Sequence, residues 1–296
     1  DGLGRISALV ARHRTVPSEQ VTGLDGAVVR HLPFVLASRP VRLRDGDPVP
    51  VRHRWPVGDP PPRVSVVVPT RDRGRLLEAC LTSLRDRTRY PDMEVVVVDH
   101  ATTERRARKL IDGLAANPDT VVVPFSGPFN FAAMCNRGVE AASGAVVVLL
   151  NNDTEVVAPD WLDEFVGQLG RPEVGVVGAL LLFTDGTIQH AGVHPGVGGL
   201  MGHGHKHRPG DDPGYQGRLT VAHEVAAVTG ACLGTTRELW DHLGGLDEEH
   251  LAVAYNDIDL CLKARVAGLR VVLAPLPTNT DSQPIMADLG QDGLHP

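Results

Sequence analysis

The chain has 296 residues, of which 42% are hydrophobic and 22% are charged, and its formal net charge at pH 7 is -7. This length suits one large domain or two modest ones, and the composition is that of a globular protein with an ample core. The acidic balance and the scattered basic residues argue against a nucleic-acid-binding surface. No apolar run reaches the roughly 18 residues of a membrane span.

The cysteines indicate a reducing compartment. Cys80, Cys135, Cys232 and Cys261 are far apart, form no Cys-x-x-Cys pair and stand in apolar stretches. This pattern predicts reduced core residues of a cytosolic protein rather than a disulfide framework or a zinc site. No signal peptide opens the chain, and its start at Asp1 rather than Met predicts a piece of a longer product.

Residues 1–62 differ from the rest of the chain, because prolines punctuate them up to Pro60-Pro61-Pro62. We expect an N-terminal extension that ends in a Pro-rich linker. From residue 63 onward, Val-rich runs alternate with apolar residues at helical spacing, which predicts right-handed βαβ crossovers and a mostly parallel sheet in an α/β fold. The predicted strands are 64–68, 94–98, 120–124 and 145–150, and the predicted helices are 74–87, 107–114 and 134–142.

The second half of the chain is less regular. A long segment rich in Gly and His, residues 185–220, shows little periodicity, and a loop of this length is usually functional or mobile. We expect a polar, loose tail after residue 275. The predicted helices are 160–169, 237–243 and 256–265, and the predicted strands are 174–183, 221–228 and 270–274.

Polar residues stand at the carboxyl ends of three predicted strands. They are Thr70 with Asp72, then Asp99, then Asn151-Asn152-Asp153. Because ligands of open α/β sheets bind beyond the carboxyl ends of the strands, this convergence predicts a nucleotide-binding crevice. By itself, Asn151-Asn152-Asp153 fits a polar turn as well as a site for a hard divalent cation.

Two familiar phosphate-binding signatures are absent. No Gly-x-Gly-x-x-Gly follows the first strand, and no Gly-x-x-x-x-Gly-Lys-Ser/Thr occurs in the chain. A dinucleotide oxidoreductase and a P-loop enzyme are therefore disfavoured. Without a glycine cradle, we expect a divalent metal, Mn²⁺ or Mg²⁺, at Asp153 to hold the phosphates.

Seven motifs resemble, in order and spacing, those of the family 2 inverting glycosyltransferases of GT-A fold. The similarity is greatest to the rhamnosyltransferase-like members that act in cell-surface polysaccharide synthesis. It covers residues 63–275 and implies a GT-A domain with a smaller mixed sheet on the acceptor side. The motifs are Val64-Ser-Val-Val-Val-Pro-Thr-Arg-Asp-Arg73, Val95-Val-Val-Val-Asp99, Gly127-Pro-Phe-Asn-Phe131, Leu149-Leu-Asn-Asn-Asp-Thr-Glu-Val156, Thr229-Gly-Ala-Cys-Leu233, Gly244-Gly-Leu-Asp-Glu248 and Tyr255-Asn-Asp-Ile-Asp-Leu-Cys-Leu262.

The resemblance implies a division of labour along the chain. Residues 63–156 would form the nucleotide-binding half, residues 157–275 the acceptor half, and residues 276–296 a loose C-terminal tail. Asp99 would reach the base of the nucleotide. The residues implied in nucleotide binding are Pro69, Thr70, Arg71, Asp72, Asp99, Asn130, Asn136 and Asn152.

The resemblance also implies the reacting groups. Asp153 would bind the metal, and Asp257 would be the general base that deprotonates the acceptor hydroxyl. An inverting transfer needs one such base and a neutralised leaving group rather than a pair of catalytic carboxylates. The alternative for Asp257 is a helix cap, shared with Asn256. The residues expected on the acceptor side are Thr229, Gly230, Asp247 and His203, although Asp247 also fits a simple turn.

The histidines of the 185–220 segment allow a second interpretation. His203, His205 and His207 alternate, with His190, His194 and His223 nearby in sequence. Alternating histidines share one face of an extended strand and suit a transition metal. Because no cysteine or paired carboxylate accompanies them, an acceptor-lining or solvated loop is the favoured interpretation.

We therefore expect an enzyme that moves a hexosyl or deoxyhexosyl group from a UDP- or dTDP-linked donor to a glycan or lipid-linked glycan. We expect it in the cytoplasm, in peripheral contact with the inner face of the membrane. The alternative is a catalytically inactive nucleotide- or glycan-binding module of a larger protein. It rests on residues 275–284, where the family's histidine-containing segment is replaced and no histidine occurs until His295.

Overall fold

An eight-stranded sheet forms the centre of the computed structural model, which describes residues 53–197, 199–275 and the backbone of residues 286–288. The strand order is β11-β13-β6-β12-β4-β1-β2-β3. The strands of this sheet are β1 (Val64–Thr70), β2 (Met93–His100), β3 (Thr120–Phe125), β4 (Val146–Leu150), β6 (Val174–Ala179), β11 (His223–Val225), β12 (Cys232–Thr236) and β13 (Arg270–Ala274).

The first four strands run parallel, as the alternation of Val-rich runs and helices predicts. Thr70 at the end of β1 pairs in register with Asp99 near the end of β2. The crossover helices are α1 (Gly74–Arg87), α2 (Arg105–Leu114) and α3 (Phe131–Ala141). The bounds of α1 agree with the predicted helix 74–87, because its buried residues recur at helical spacing between two turn segments.

Two strands of the second half, β12 inside the sheet and β11 at its edge, run antiparallel to the others. β12 runs antiparallel between β4 and β6, whereas β13 runs parallel to β6 and β11 closes the edge antiparallel to β13. An antiparallel strand begins where its parallel neighbours end. The residues just before β12 therefore lie at the carboxyl edge of the sheet, and the three helices α4 (Trp161–Leu169), α5 (Arg237–Leu243) and α6 (Asn256–Val266) complete this half.

Two smaller sheets flank the central one. The first is mixed and has the order β5-β14-β7-β8, and the second pairs β9 with β10. The predicted loop 185–220 thus contains three short strands, and the predicted strand 221–228 is shortened to β11. Met286–Asp288 form β14, although no element is predicted in the tail. The strands are β5 (Thr154–Val156), β7 (Leu181–Phe183), β8 (Ile188–His190), β9 (Val193–Pro195), β10 (Met201–His203) and β14 (Met286–Asp288).

Helices cover both faces of the central sheet, which explains why its strands are uninterrupted apolar runs. α3 and α6 pack on one face through residues such as Met134 and Cys261. α1 and α4 pack on the other face, where Trp161 and Phe165 are fully buried. All four cysteines are free and buried, as predicted, and no helix in the described ranges is long and apolar enough to cross a membrane.

The last residues of the predicted linker pack against the domain. The Arg171 guanidinium lies 4.7 Å from the centre of the Trp55 ring, and Tyr90 donates a hydrogen bond to the carbonyl of Pro62 at 2.6 Å. A Cβ atom on Gly167 of α4 would approach the Trp55 carbonyl to 2.6 Å. The boundary at residue 63 stays a prediction, and residues 1–52 lie outside the described ranges.

Gly138 allows α3 to lie directly on the sheet, and its replacement tests this packing. In Gly138→Ala, the added Cβ would meet Val67 Cγ1 at 2.3 Å and Val98 Cγ2 at 2.8 Å. We expect a loss of about 1–3 kcal/mol in the free energy of unfolding, measured in urea, because stiff core valines must shift.

The matched control is Gly113→Ala in α2, where an added Cβ meets nothing within 4 Å. This change should stabilise the protein by about 0.5–1 kcal/mol, because alanine favours the helix. Equal effects of the two substitutions would show that α3 does not depend on close contact at Gly138.

Candidate active site

The structure brings the three predicted strand ends together. Asn152, just after β4, donates a buried hydrogen bond from Nδ2 to Thr70 Oγ1 at 2.8 Å. Thr70 pairs in turn with Asp99 across the β1–β2 register. The three side chains are between 2% and 6% exposed as whole residues. They form a continuous polar row along the carboxyl edge of the sheet.

Neighbouring groups hold the Asp99 carboxylate in place. Oδ1 accepts a hydrogen bond from the Thr102 amide at 3.0 Å, and Oδ2 forms an ion pair with Arg108 Nη1 at 2.8 Å. Pro69 lies in β1 opposite Val98 and is buried. An acceptor group fixed in this way can recognise a donor edge of a base without reorganising.

Asp72 serves a structural purpose beside this row, whereas Arg71 is exposed. The Asp72 carboxylate accepts hydrogen bonds from the amides of Thr103 and Glu104 at 2.7 and 2.8 Å, just before α2. These hydrogen bonds lower the pKa of Asp72, and the one from the Glu104 amide has the largest effect. Asp72 thereby ties the turn after β1 to the start of α2, and nucleotide contacts of Arg71 and Asp72 stay predictions.

The two predicted asparagines of α3 bond to the segment after α5. Asn130 caps α3 by accepting from the Ala133 amide at 2.8 Å, and it donates to the Glu248 carbonyl at 2.9 Å. Asn136 bonds to both the amide and the carbonyl of Leu246, each at 2.9 Å. It lines a separate cavity of about 670 Å³ between α3 and α5. The structure does not place Asn136 in the pocket that holds Asp257.

The turn after β4 presents oxygen ligands at the same edge. Asp153 is 8% exposed. The backbone N–H of Asn151 donates a hydrogen bond to the Ala231 carbonyl at 3.0 Å. The side-chain oxygen of Asn151, Oδ1, is buried and has no hydrogen-bond partner among the described residues. A carboxylate and an amide oxygen suit a hard cation that takes its remaining ligands from phosphates and water. Asn151 and Asp153 therefore fit the predicted metal, although Asn151 was expected only as part of the motif.

Asp257 lies in the first turn of α6 and opens into a second cavity of about 490 Å³. Its Oδ2 accepts a hydrogen bond from the Gly230 amide at 2.8 Å, and its Oδ1 accepts from the Ile258 amide at 2.8 Å. The prediction that Asn256 or Asp257 caps the helix is wrong. The cap residue is Tyr255, which has a left-handed backbone and forms no side-chain cap.

Most of the predicted acceptor-side residues meet Asp257 in this cavity. His203, Thr229 and Gly230 line it, together with Asn151 from the turn after β4. One residue of the predicted donor edge, Asn151, and the predicted base thus line the same cavity. Tyr255 also lines the cavity and was not predicted, because its left-handed backbone has no signal in the sequence.

Asp247 lies elsewhere. Its Oδ1 accepts from the His250 amide at 3.0 Å and contacts His250 Nδ1 at 3.1 Å. This geometry is that of a turn residue, and Asp247 does not line the cavity of Asp257. Asp259 forms an ion pair with Lys263, at 2.8 Å.

The histidines do not assemble into a transition-metal site. Within the described ranges, no group of three or more His, Cys, Asp or Glu side chains is arranged to hold a metal ion. His207 stacks on Phe183 with ring centres 5.1 Å apart. His203 instead contacts His190, with 2.9 Å between their Nδ1 atoms. From the sequence, His190 is expected only as a neighbour of the alternating residues His203, His205 and His207.

The sheet, its covering helices and the crevice at its carboxyl edge have the architecture of the GT-A fold, which agrees with the prediction. Residues 65–243 match the model of glycosyl transferase family 2, and the chain belongs to this family. It is 44% identical over 231 residues to the uncharacterized protein y4gI of Sinorhizobium fredii and 40% identical over 256 residues to the O-antigen biosynthesis protein RfbC of Myxococcus xanthus. These matches cover 77% and 84% of this chain, but only 25% and 20% of the two relatives.

Solved structures give the same assignment of the fold. The mannosyltransferase PcManGT from Pyrobaculum calidifontis, in complex with GDP-Man and Mn²⁺, superposes with a TM-score of 0.55 and 25% identity over 78% of this chain and 58% of its own. GalNAc-T7 with UDP, GalNAc and Mn²⁺ has a TM-score of 0.59 at 17% identity, over 77% of this chain and 44% of its own. The second similarity concerns the fold alone.

The role of Asp72 generates a pH-dependent prediction. A carboxyl group whose pKa is lowered by folding stabilises the protein above its unfolded pKa of about 3.9, and this contribution is lost as the pH falls through the folded value. Asp72→Asn should therefore lower the free energy of unfolding by about 0.5 kcal/mol at pH 7, and this difference should shrink as the pH falls below about 3.9 and through the lower folded pKa. Urea unfolding at pH 7 and at a series of lower pH values measures the difference.

The control is Asp86→Asn, because Asp86 is exposed at the end of α1 and pairs only with its neighbour Arg85 among the described residues. This control should change stability little at either pH. An Asp72→Asn protein that is as stable as the wild type at pH 7 would contradict the structural role of Asp72.

Proposed function

We propose that this chain transfers a sugar, with inversion, from a nucleoside-diphosphate donor to a hydroxyl group of a cell-surface glycan. The observation that carries the proposal is the row of contacts along one sheet edge. It runs from Asp99 through Thr70 and Asn152, and it continues from the Asn151 amide through Ala231 and Gly230 to Asp257. The resemblance to an O-antigen biosynthesis protein and to a mannosyltransferase with GDP-Man and Mn²⁺ supports it.

The donor nucleotide is proposed to lie at the Asp99 end of the row. Asp99 has both oxygens fixed, so it can accept a hydrogen bond from a base N–H without losing side-chain entropy. Thr70 has its hydroxyl bonded to Asn152, which orients the oxygen next to Asp99. A pyrimidine nucleotide, UDP or dTDP, is our expectation, and GDP is the alternative that the solved mannosyltransferase suggests.

Asp153 and Asn151 are proposed to hold a divalent cation, Mn²⁺ or Mg²⁺. When bound, the ion neutralises the charge that develops on the leaving diphosphate. The chain supplies the site through a buried carboxylate and a buried amide oxygen at the carboxyl edge of the sheet. Both lie on the turn whose middle residue, Asn152, contacts the proposed nucleoside wall.

Asp257 is proposed as the general base. It takes the proton of the acceptor hydroxyl as that oxygen bonds to the anomeric carbon, and the bond from that carbon to the diphosphate breaks with its electron pair. The Gly230 amide holds Oδ2, so the carboxylate has one orientation toward the cavity. A single in-line displacement of this kind needs one base and yields inversion.

Metal-dependent nucleotide binding tests the donor half of the site. We expect UDP or dTDP to bind by isothermal titration calorimetry in the presence of Mn²⁺, with at least tenfold weaker binding, about 1.4 kcal/mol, after chelation. Asp153→Asn should reproduce the effect of chelation, because an amide is a poorer ligand than a carboxylate.

Asp119→Asn, an exposed change between α2 and β3, is the control and should bind like the wild type. GDP with Mn²⁺ is titrated in parallel. If none of the three nucleotides binds with or without Mn²⁺, the proposed function is wrong.

The base assignment is tested by transfer. Asp257→Asn should lower kcat by about 10²–10⁴, while the affinity for nucleotide and Mn²⁺ stays within twofold. Transfer is followed as nucleoside diphosphate released in the presence of a panel of methyl hexosides and methyl 6-deoxyhexosides. Turnover at the wild-type rate would place the base elsewhere.

Asp86→Asn serves as the control for charge and should keep wild-type turnover. A wild-type chain that binds nucleotide with Mn²⁺ but transfers no sugar to any member of the panel would support the inactive binding module instead.

A further inference from the structure

The histidine pair His190 and His203 lies beside the proposed base, Asp257, and the proposed function gives it no role. His190, at the end of β8, is fully buried, whereas His203, at the end of β10, is exposed and lines the cavity of Asp257. Their Nδ1 atoms are 2.9 Å apart, and the rings meet edge to face at 81°. A contact of this length between two ring nitrogens requires that one carries a proton and the other accepts it.

Backbone amides decide which nitrogen of His190 carries the proton. The amides of Gly192 and Thr229 both point at His190 Nε2, each at 3.4 Å. An amide can only donate, so Nε2 of His190 is an acceptor and its proton sits on Nδ1. His190 therefore donates from Nδ1 to Nδ1 of His203. His203 is left with its own proton on Nε2.

The two histidines are also disposed to stay neutral. Burial, with the nearby His203 and His194, keeps the pKa of His190 well below its usual range. Although His203 is exposed as a whole residue, the protein around its ring removes part of the solvent and lowers its pKa too; the Asp257 carboxylate opposes this effect and Lys206 adds to it. A neutral His203 with a protonated Nε2 is a hydrogen-bond donor on the edge of the ring that faces away from His190.

One short segment orients both His190 and Asp257. The Thr229 amide points at His190 Nε2, and the next amide along the chain, that of Gly230, bonds to Asp257 Oδ2. The donor at His203 and the acceptor at Asp257 are therefore positioned by consecutive peptide groups of one turn. They face the same cavity with opposite hydrogen-bonding character.

We infer that His203 is a positioning residue that donates from Nε2–H to a second oxygen of the acceptor sugar, next to the hydroxyl that Asp257 deprotonates, and that His190 fixes the tautomer of His203 for this purpose. The inference rests on the proposed function and narrows the acceptor to a sugar with an oxygen beside the attacking hydroxyl. His203 is not a base in this arrangement, because its Nδ1 is occupied and its Nε2 is protonated.

The tautomers are tested without any ligand. In the full chain with ¹⁵N-labelled histidine, NMR at pH 7.5 should show His203 as the neutral Nε2–H form and His190 as the neutral Nδ1–H form. Spectra of His190→Gln and His203→Gln assign the two signals. A His203 that is protonated, or that carries its proton on Nδ1, overturns the inference whatever the enzyme does.

The positioning role is tested by transfer to a methyl glycoside acceptor from the panel and to its monodeoxy analogues. His203→Leu should raise the acceptor KM about tenfold, the loss of one hydrogen bond of about 1.4 kcal/mol, with kcat and nucleotide affinity little changed. His203→Gln retains an N–H donor and should recover most of the loss. His207→Leu, which changes an exposed histidine of the same segment, should behave like the wild type.

The deoxy analogues separate a hydrogen bond from a general packing effect. Removal of the hydroxyl next to the attacking one should cost the wild type about tenfold in kcat/KM and cost His203→Leu nothing further. Equal losses in both proteins would overturn the contact. A wild type without transfer activity would defeat the proposed function and the positioning role together, while the NMR result still decides the tautomers.

Discussion

The position of one antiparallel strand determines how the site is assembled. β12 lies between β4 and β6 and is antiparallel to both, with Cys232 paired opposite Leu150. Its first residue is therefore level with the last residue of β4, and the turn that precedes it is delivered to the carboxyl edge of the parallel strands. A parallel strand in the same place would carry that turn to the opposite edge, away from the donor crevice.

This placement lets backbone groups join the two halves of the crevice. The Ala231 carbonyl accepts from the amide of Asn151, which begins the proposed metal-binding turn, and the Gly230 amide bonds to Asp257 on α6. The proposed metal-binding turn and the proposed base are thus both held by peptide groups of one short segment. A Cβ atom on Gly230 would lie in van der Waals contact with Asp257 Cβ, at 3.4 Å, which shows how closely this segment passes α6.

The sequence predicts the features that depend on local pattern. α1, the four parallel strands and the polar residues at their ends follow from Val-rich runs, helical spacing and turn chemistry, all of which are local. The pairing of β14 with β5 and β7 is not predicted, because strand pairing over such a sequence distance leaves no local signal. The contact between His190 and His203 is missed for a related reason. It joins two separate small sheets and depends on two backbone amides that sequence letters do not show.

The two carboxylates of α6 show how helix geometry separates the proposed base from a structural carboxylate. Asp257 and Asp259 are two residues apart, and side chains at this spacing do not share a helix face. Asp259 is 1% exposed and pairs with Lys263, which also donates to the Gly245 carbonyl at 3.3 Å and so ties α6 to the loop that Asn136 holds. Because Asp259 anchors the helix from inside, Asp257 is directed into the cavity without needing a cation of its own. The backbone amides of Gly230 and Ile258 hold its two oxygens, so the fold fixes the direction of the carboxylate that is proposed as the base.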